Sequence, residues 1–299
     1  MRRNQKIILI SAALVLLLAV VALSSSGNLN FTGSSGIFPI KVGGKYGFID
    51  RNGKVAIQPQ FDEAAQFQDG LAPVSVNKAW GYIDRNGKLA INPQFEMADP
   101  FSENMALVGM GHRFGYINKD GRFAINPQFE GAGRFESGRA PVMIGGRWGY
   151  IDKDAKLIIA PQFDEAGNFS EEMALVRLGD RYGFIDKAGK LAINPQFEGA
   201  GDFSNGLALV KVGGKFGYID KNGKYAINPQ FEQAGDFGDG LALVSINKRF
   251  GYIDKNGKFA INPQFDDAGT FDHGVAPVWL GDRQGYIDKS GKYIWNPTA

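Results

Sequence analysis

Short apolar runs separated by polar turns recur along the chain from residue 36 onward. In one copy, residues 241–246 read Leu-Ala-Leu-Val-Ser-Ile, and further apolar runs occupy 250–253 and 259–261. Runs of this length that are rich in β-branched and aromatic residues predict strands. The pattern therefore predicts an all-β fold with three strands in each copy.

The copies repeat with a period of 34 residues, without insertion or deletion. This self-similarity predicts a tandem array in which each copy buries its apolar face against its neighbours. The array then contains eight three-stranded β-meanders. The period is set by the glycines Gly47, Gly81, Gly115, Gly149, Gly183, Gly217, Gly251 and Gly285.

Glycine and proline positions refine this prediction. The Asn256-Gly257 pair predicts a tight hairpin with positive φ angles between the second and third strands. Pro263 lacks an N–H and is expected to end the third strand. Proline also recurs in the first strand, which predicts an unpaired side there. Its positions are Pro39, Pro73, Pro141 and Pro277.

The ends of the array decide between two architectures. The eight meanders begin with a first strand and end with a third strand, so no strand remains to close a circle. A propeller blade usually has four strands and more residues than this period offers. We therefore predict an open superhelical β-solenoid over residues 37–299, with an eight-bladed propeller-like toroid as the alternative.

The N-terminus has the features of a targeting segment. Basic residues precede an apolar run from Ile7 to Leu23, which predicts an N-terminal apolar helix that serves as a signal anchor or signal peptide in residues 1–23. Residues 24–36 are rich in serine, glycine and asparagine and are expected to form a flexible linker. The repeats are thus expected in the periplasm or at the cell surface, anchored to the membrane by this helix or secreted after cleavage.

Composition narrows the function classes. Apolar residues make up 44% of the chain and charged residues 21%, which is typical of a folded protein. The 33 basic and 31 acidic residues are dispersed, so nucleic-acid binding is not expected. There is no cysteine, and the two histidines, His112 and His273, lie far apart. We therefore expect no zinc site, no histidine-based catalysis and no cofactor.

Two acidic series recur in nearly every copy. Paired carboxylates can hydrolyse glycosides or bind calcium. A catalytic pair should be singular, however, and an aspartate beside a turn commonly caps its N–H groups. Capping is therefore favoured, and a carboxylate-based hydrolase is a remote alternative. The first series is Asp50, Asp84, Asp152, Asp186, Asp220, Asp254 and Asp288, and the second is Asp62, Glu96, Glu130, Asp164, Glu198, Glu232 and Asp266.

Aromatic residues on both sides of the repeating glycine are the candidate binding residues. Residues two apart on a strand share a face, so each copy could present two rings to a sugar or a protein partner. The favoured interpretation is nevertheless that these rings form the core between copies, because every copy needs a core. The candidates are Trp80, Tyr82, Phe114, Tyr116, Trp148, Tyr150, Tyr182, Phe216, Tyr218, Phe250 and Tyr252.

The Trp80-Gly81 and Trp148-Gly149 pairs resemble the repeat of the WG-repeat family of bacterial proteins. Other copies keep the glycine after Tyr, Phe or Gln. The resemblance implies a β-repeat architecture and supplies no shared catalytic residues. We therefore expect a non-catalytic, exported, membrane-tethered scaffold for protein–protein or cell-envelope binding. The alternative is a surface protein that binds glycan or peptidoglycan through its repeated aromatics.

Overall fold

The computed structural model describes residues 37–50, 54–271 and 274–298. They form 31 strands in eight antiparallel sheets. No helix occurs among these residues, and so none that is long and apolar enough to cross a membrane. The segments predicted as an N-terminal helix and a linker, and also His273, lie outside the described residues.

Each sheet forms one blade, numbered here in chain order. Blade 1 contains β1 (Ile37–Val42), β2 (Lys45–Asp50) and β3 (Val55–Phe61). Blade 2 contains β4 (Glu63–Ala64), β5 (Ala72–Val76), β6 (Ala79–Ile83) and β7 (Leu89–Phe95). Blade 3 contains β8 (Met97–Ala98), β9 (Ala106–Met110), β10 (Arg113–Ile117) and β11 (Phe123–Phe129). Blade 4 contains β12 (Gly131–Ala132), β13 (Ala140–Ile144), β14 (Arg147–Ile151) and β15 (Leu157–Phe163).

The second half of the chain repeats this arrangement. Blade 5 contains β16 (Glu165–Ser170), β17 (Met173–Leu178), β18 (Arg181–Asp186) and β19 (Leu191–Phe197). Blade 6 contains β20 (Gly199–Ala200), β21 (Ala208–Val212), β22 (Lys215–Ile219) and β23 (Tyr225–Phe231). Blade 7 contains β24 (Gln233–Gly238), β25 (Leu241–Ile246), β26 (Arg249–Ile253) and β27 (Phe259–Phe265). Blade 8 contains β28 (Asp267–Ala268), β29 (Val275–Leu280), β30 (Arg283–Asp288) and β31 (Tyr293–Thr298).

The prediction of three strands per copy was wrong for seven of the eight blades, which have four. The additional strand comes from the segment expected to connect one copy to the next. In blade 2 it is only the pair Glu63 and Ala64, matched with Ser75 and Val74. A strand this short fits within the 34-residue period, so the length argument against propeller blades does not hold.

The open superhelical solenoid was also wrong, because the eight blades are arranged as a propeller. In a linear stack, side chains two copies apart should not meet. Here burial raises the pKa of Glu136 in blade 4, and the charge of Asp202 in blade 6 adds to that rise, so the two blades lie near each other. Both residues follow the short first strand of their blade. The blades therefore converge on the side of these first strands.

The hydrophobic core is divided among the boundaries between successive blades. At one boundary, Tyr218 and Ile227 of blade 6 pack with Phe237, Ala242 and Val244 of blade 7. The Tyr218 and Phe237 ring centroids lie 5.0 Å apart. The same pair of ring positions meets at all seven boundaries. Each blade is therefore completed by its neighbours, as the repeat pattern predicted.

The repeating glycine is explained by the close approach of the neighbouring strand. In blade 6, Phe216 pairs with Phe231 and Tyr218 with Ile227, so β23 bulges opposite Gly217. A Cβ added to Gly217 would lie 2.6 Å from the Ile227 carbonyl oxygen. The atoms nearest to this added Cβ all belong to the backbone of β23, so the clash cannot be relieved by the movement of a side chain. The glycine is thus required for the close approach of the bulged strand. It is not there to leave the neighbouring rings exposed.

The predictions for Pro263 and Pro73 were wrong, whereas Pro39 lies in the edge strand β1, as predicted. Pro263 does not end the third strand, because β27 continues through it to Phe265. This strand lies at the edge of blade 7, where an absent N–H breaks no ladder. Pro73 lies in an inner strand that is paired on both sides. Its carbonyl accepts from the Ala65 N–H at 3.0 Å, so the short first strand needs only an acceptor there.

The predicted Asn-Gly hairpin is present with a different backbone. Gly257 has φ +79°, whereas Asn256 is not among the residues with positive φ. The Asn256 N–H instead bonds to the Asp254 carboxylate at 2.9 Å. Two successive positive φ angles occur in the other hairpin of the blade, as at Asn247 and Lys248. In blades 5 and 8 only the first turn residue, Gly179 or Gly281, has positive φ. The hairpin with positive φ at both central residues therefore joins the second and third strands of the other four-stranded blades.

Gly217→Ala tests the close approach at the bulge. The added methyl group should force the bulge and β22 apart and lower the free energy of unfolding by about 1–3 kcal/mol. Gly235→Ala is the matched control, because the nearest atom to its added Cβ is Leu243 Cβ at 3.9 Å. Denaturant unfolding measures both variants. Equal stability of the two would contradict this role of the glycine.

Candidate functional site

The first acidic series caps turns, as predicted. The Asp84 Oδ1 accepts from the N–H groups of Asn86 and Lys88 at 2.9 and 3.0 Å. These bonds, the one from Lys88 first, lower the pKa of Asp84. Asn118 replaces the aspartate in blade 3 and accepts the same two bonds at 3.0 Å. The position therefore needs an acceptor oxygen more than a charge.

The second acidic series caps the hairpin turn of its own blade. Glu198 accepts from the N–H groups of Gly213 and Gly214 at 2.9 and 3.0 Å, and these bonds lower its pKa. Arg181 of the preceding blade lies 3.9 Å from the same carboxylate. Ion pairs this exposed contribute little to stability. Both series therefore serve the repeating frame.

Five candidate binding aromatics lie in the core and cannot contact a partner at the surface. Their hydroxyl groups donate to a backbone carbonyl of the next blade, as Tyr218 does to Gly235 at 2.7 Å. Burial, and then a nearby aspartate charge, raise the pKa of each phenol. For this set the favoured core interpretation is confirmed, and their selection as candidate binding residues was wrong. The set is Tyr82, Tyr116, Tyr150, Tyr218 and Tyr252.

The six other candidate aromatics are half-buried and reach the blade surface. Each is the last of three residues in register across the first three strands of its blade. In blade 6 these are Gly199, Lys211 and Phe216. We call this set the cross-strand row. The six aromatics are Trp80, Phe114, Trp148, Tyr182, Phe216 and Phe250.

The cross-strand row changes from blade to blade while most of the frame does not. Its residues include acidic, basic and aromatic side chains as well as glycine. In blades 2 to 8 the rows are Glu63, Ser75 and Trp80; Met97, Gly109 and Phe114; Gly131, Met143 and Trp148; Glu165, Arg177 and Tyr182; Gly199, Lys211 and Phe216; Gln233, Ser245 and Phe250; and Asp267, Trp279 and Gln284.

Two clefts open at these rows. One, of about 410 Å³, lies between blades 6 and 7 and is lined by the row residues Gly199, Lys211 and Phe216 together with Asp236 of blade 7. The other, of about 490 Å³, lies beside Trp80 and is lined by polar side chains. These are Asp62, Glu63, Ser75, Asn77 and Lys78.

A group of acidic residues outside the two regular series lies within or just after the first strands of their blades. Burial raises the pKa of Asp202, and the charge of Asp236 raises it further. Burial likewise raises the pKa of Asp236, Asp99 and Glu136. Asp202 and Asp236 are nevertheless accessible to solvent. These carboxylates are thus partly enclosed by protein yet reach solvent, and we call their surroundings the recess.

This recess was not predicted from the sequence, because distant copies of a solenoid were not expected to meet. The available signal was an acid next to a glycine at an otherwise variable position, in Gly201-Asp202 and Gly235-Asp236. Among the described residues, no group of three or more acids or histidines could hold a metal ion. His112 lies in a hairpin turn with φ +59°.

Comparisons with known proteins agree with this architecture. A family model described as WG containing repeat matches residues 46–78, 80–111, 114–148, 148–182, 182–216, 216–249 and 250–282. A crystal structure of a eukaryotic initiation factor is 10% identical, with 88% of this chain and 85% of that chain covered and a TM-score of 0.62. The dihydro-heme d1 dehydrogenase NirN in complex with DHE is 13% identical, with 92% and 76% covered and a TM-score of 0.53. No curated protein matches the chain.

At these identities the two structures are similar to this chain in fold alone. The likeness to the initiation factor supports the eight-bladed propeller over the solenoid. A repeat β-propeller is the kind of fold that serves as a protein-interaction scaffold. The family match spans most of the described residues.

Asp202→Asn tests the recess. A raised pKa in the folded state means that the ionised carboxylate costs stability above its unfolded pKa. The variant should therefore have a higher Tm than the parent at pH 7, and the difference should vanish below about pH 4. Asp220→Asn is the control, because turn N–H bonds lower the pKa of Asp220. Its Tm at pH 7 should be unchanged or lower, and the same rise in both variants would contradict the recess.

Proposed function

The chain belongs to the WG-repeat family, and on that premise we propose that it is an exported, non-catalytic scaffold that binds a partner protein. One observation carries the proposal: a nearly constant frame presents a cross-strand row that differs in every blade. A surface that varies on a fixed framework suits recognition, because specificity can change without cost to the core. Two acidic series that could have suggested catalysis are engaged in capping turns.

The half-buried rings are suited to anchoring such a partner. Aromatic residues that are partly sunk in a surface supply large contact areas with little loss of side-chain entropy, and they dominate many protein interfaces. Six blades offer one ring each. Several weak contacts on one rigid body can add to a useful affinity through their high effective concentration.

In this proposal the propeller lies outside the cytoplasmic membrane. The support is the set of basic residues before position 7 and the apolar run from Ile7 to Leu23. Positive charge before an apolar run keeps the N-terminus in the cytoplasm and directs the remainder of the chain across the membrane.

Binding of a cell-envelope polysaccharide is a second candidate, which the cleft beside Trp80 favours. An indole ring there adjoins the carboxylates of Asp62 and Glu63 and the polar groups of Ser75 and Asn77. A flat ring beside hydrogen-bonding groups is suited to a sugar, which has one apolar face and a hydroxyl rim. Retention of the full chain on purified envelope polysaccharide, and its loss in Trp80→Ala, would favour this candidate.

The absence of native cysteine allows a direct test of export. A cysteine introduced at the exposed Lys224 should react with a membrane-impermeant thiol reagent once the outer envelope is permeabilised. A cysteine at Asn4, before the apolar run, should not react until the cytoplasmic membrane is opened. Mass spectrometry or a gel shift measures the labelling. Equal protection of both positions while the outer envelope is permeabilised and the cytoplasmic membrane is intact would contradict export.

Variants of the rings should reveal whether the cross-strand rows bind a partner. We expect the triple variant Trp80→Ala, Phe216→Ala and Phe250→Ala to retain at least tenfold less of any protein that co-purifies with the parent chain. The control replaces three exposed turn lysines by alanine and should retain it in full. These are Lys88, Lys224 and Lys258. Loss in the lysine variant, or retention in the ring variant with an unchanged Tm, would contradict the proposal.

A further inference from the structure

Blade 5 contains its own carboxylate at the position where blade 6 has a cleft. In blade 5 the Glu165 carboxylate accepts from the Arg177 guanidinium at 2.8 Å and from the Tyr182 hydroxyl at 2.9 Å. These three residues form the cross-strand row of the blade. The acid of the first strand is thus held by a cation of the second strand and by the hydroxyl group of a ring of the third.

Blade 6 keeps the cation and the ring and lacks the acid. Lys211 lies over the Phe216 ring, with its Nζ 5.3 Å from the ring centroid. Gly199 stands where blade 5 has Glu165. A Cβ added to Gly199 would meet only Lys211 Cβ at 3.6 Å, so the space above it is open.

A glycine at this position does not by itself make a cleft. In blade 4 the corresponding residue is Gly131, and the Trp148 ring fills the space, 3.1 Å from an added Cβ. The smaller Phe216 ring leaves the space in blade 6 empty. The open cleft therefore depends on the combination of glycine, lysine and phenylalanine.

We propose that the cleft between blades 6 and 7 binds an acidic residue with an adjacent aliphatic residue from a partner protein. The partner's carboxylate takes the place beside Lys211 that Glu165 takes beside Arg177 in blade 5. This inference rests on the proposed function and names the chemistry of one contact.

The charges of the cleft fix how the segment enters. Among the described residues Lys211 forms no salt bridge, although its charge helps to lower the pKa of Glu198, so the ammonium group is available to a ligand. Asp236 lines the cleft from blade 7 and would repel a second carboxylate. The acidic group therefore binds at the Lys211 side, and a backbone N–H of the segment faces Asp236.

The lining of the cleft favours a peptide over a free anion. Between its two charged residues the cleft is bordered by Ala200, Leu209 and Ala234. These apolar groups can pack against an aliphatic side chain of a peptide, whereas a small bound anion would leave them exposed to solvent. A charge-assisted bond to Lys211 then adds specificity for the acid.

Amide NMR titration of the full chain with the blocked dipeptide acetyl-Glu-Leu-amide tests the proposal. We expect saturable shifts of the Gly199, Gly201 and Gly235 amides. Acetyl-Gln-Leu-amide, which has the same shape without the charge, should bind at least fivefold more weakly. Methyl glucuronide, a sugar carboxylate, should produce no saturable shift at these glycines. Equal binding of the two dipeptides, or binding of the glucuronide alone, would overturn the proposal.

Two variants locate the contact. Gly199→Glu supplies a carboxylate within the chain, as in blade 5, and should weaken dipeptide binding at least tenfold. Lys211→Met keeps an apolar stem and should weaken it similarly, whereas Lys224→Met on an exposed turn should not. Unchanged binding in Gly199→Glu with an unchanged Tm would overturn the proposal. A chain that binds no dipeptide yet keeps a co-purifying partner through its other rings would refute this inference and leave the proposed function standing.

Discussion

The contact between two rings across each blade boundary is the interaction on which the rest of the structure depends. A ring of the third strand in one blade meets a phenylalanine of the next blade, as in Tyr150 with Phe169 at 5.1 Å. Aromatic pairs in such tilted arrangements are favourable beyond the area that they bury. Because each contact lies between blades, no blade has a complete interior of its own. The contacts that stabilise the fold are therefore the same contacts that recur from one blade to the next.

This constraint divides the repeat into a frame and a surface. Positions that meet the next blade or a bulged strand hardly change, as the series of glycines that includes Gly217 illustrates. Positions in the cross-strand row lie at the mouth of the boundary, where several side chains are tolerated. The recess of Asp202 and Asp236 adjoins the cleft between blades 6 and 7, which Asp236 also lines. Both features arise from how neighbours meet, and neither belongs to one blade alone.

Much of the frame could be predicted from the sequence because its signals are local and repeated. The period, the hairpins and the capping aspartates each follow from a few adjacent residues. The fourth strand could not be predicted, since Glu63 and Ala64 are too short a run to show a strand pattern. Its omission led to the open solenoid. The prediction that Pro263 ends the third strand failed for a similar reason. A proline is tolerated in an edge strand such as β27, and the sequence does not show which strands are edge strands.

The candidate site was predicted less well for a related reason. Spacing identified two rings per blade but could not distinguish Tyr82, which faces the next blade's core, from Trp80, which reaches the surface. The cleft at Gly199 was not predicted, because it forms where a glycine lacks a side chain and where the next blade supplies part of the lining. Sequence patterns indicate which side chains are present, but they do not indicate where packing leaves a cleft.

A double-mutant cycle across one boundary tests the central claim most directly. Tyr218→Leu and Phe237→Leu, measured by denaturant unfolding alone and together, should show a coupling of about 0.5–1.5 kcal/mol. Tyr218→Leu combined with Phe169→Leu, from the boundary between blades 4 and 5, should be additive within about 0.5 kcal/mol. Additivity for the first pair, or equal coupling for both pairs, would contradict a core shared only between adjacent blades.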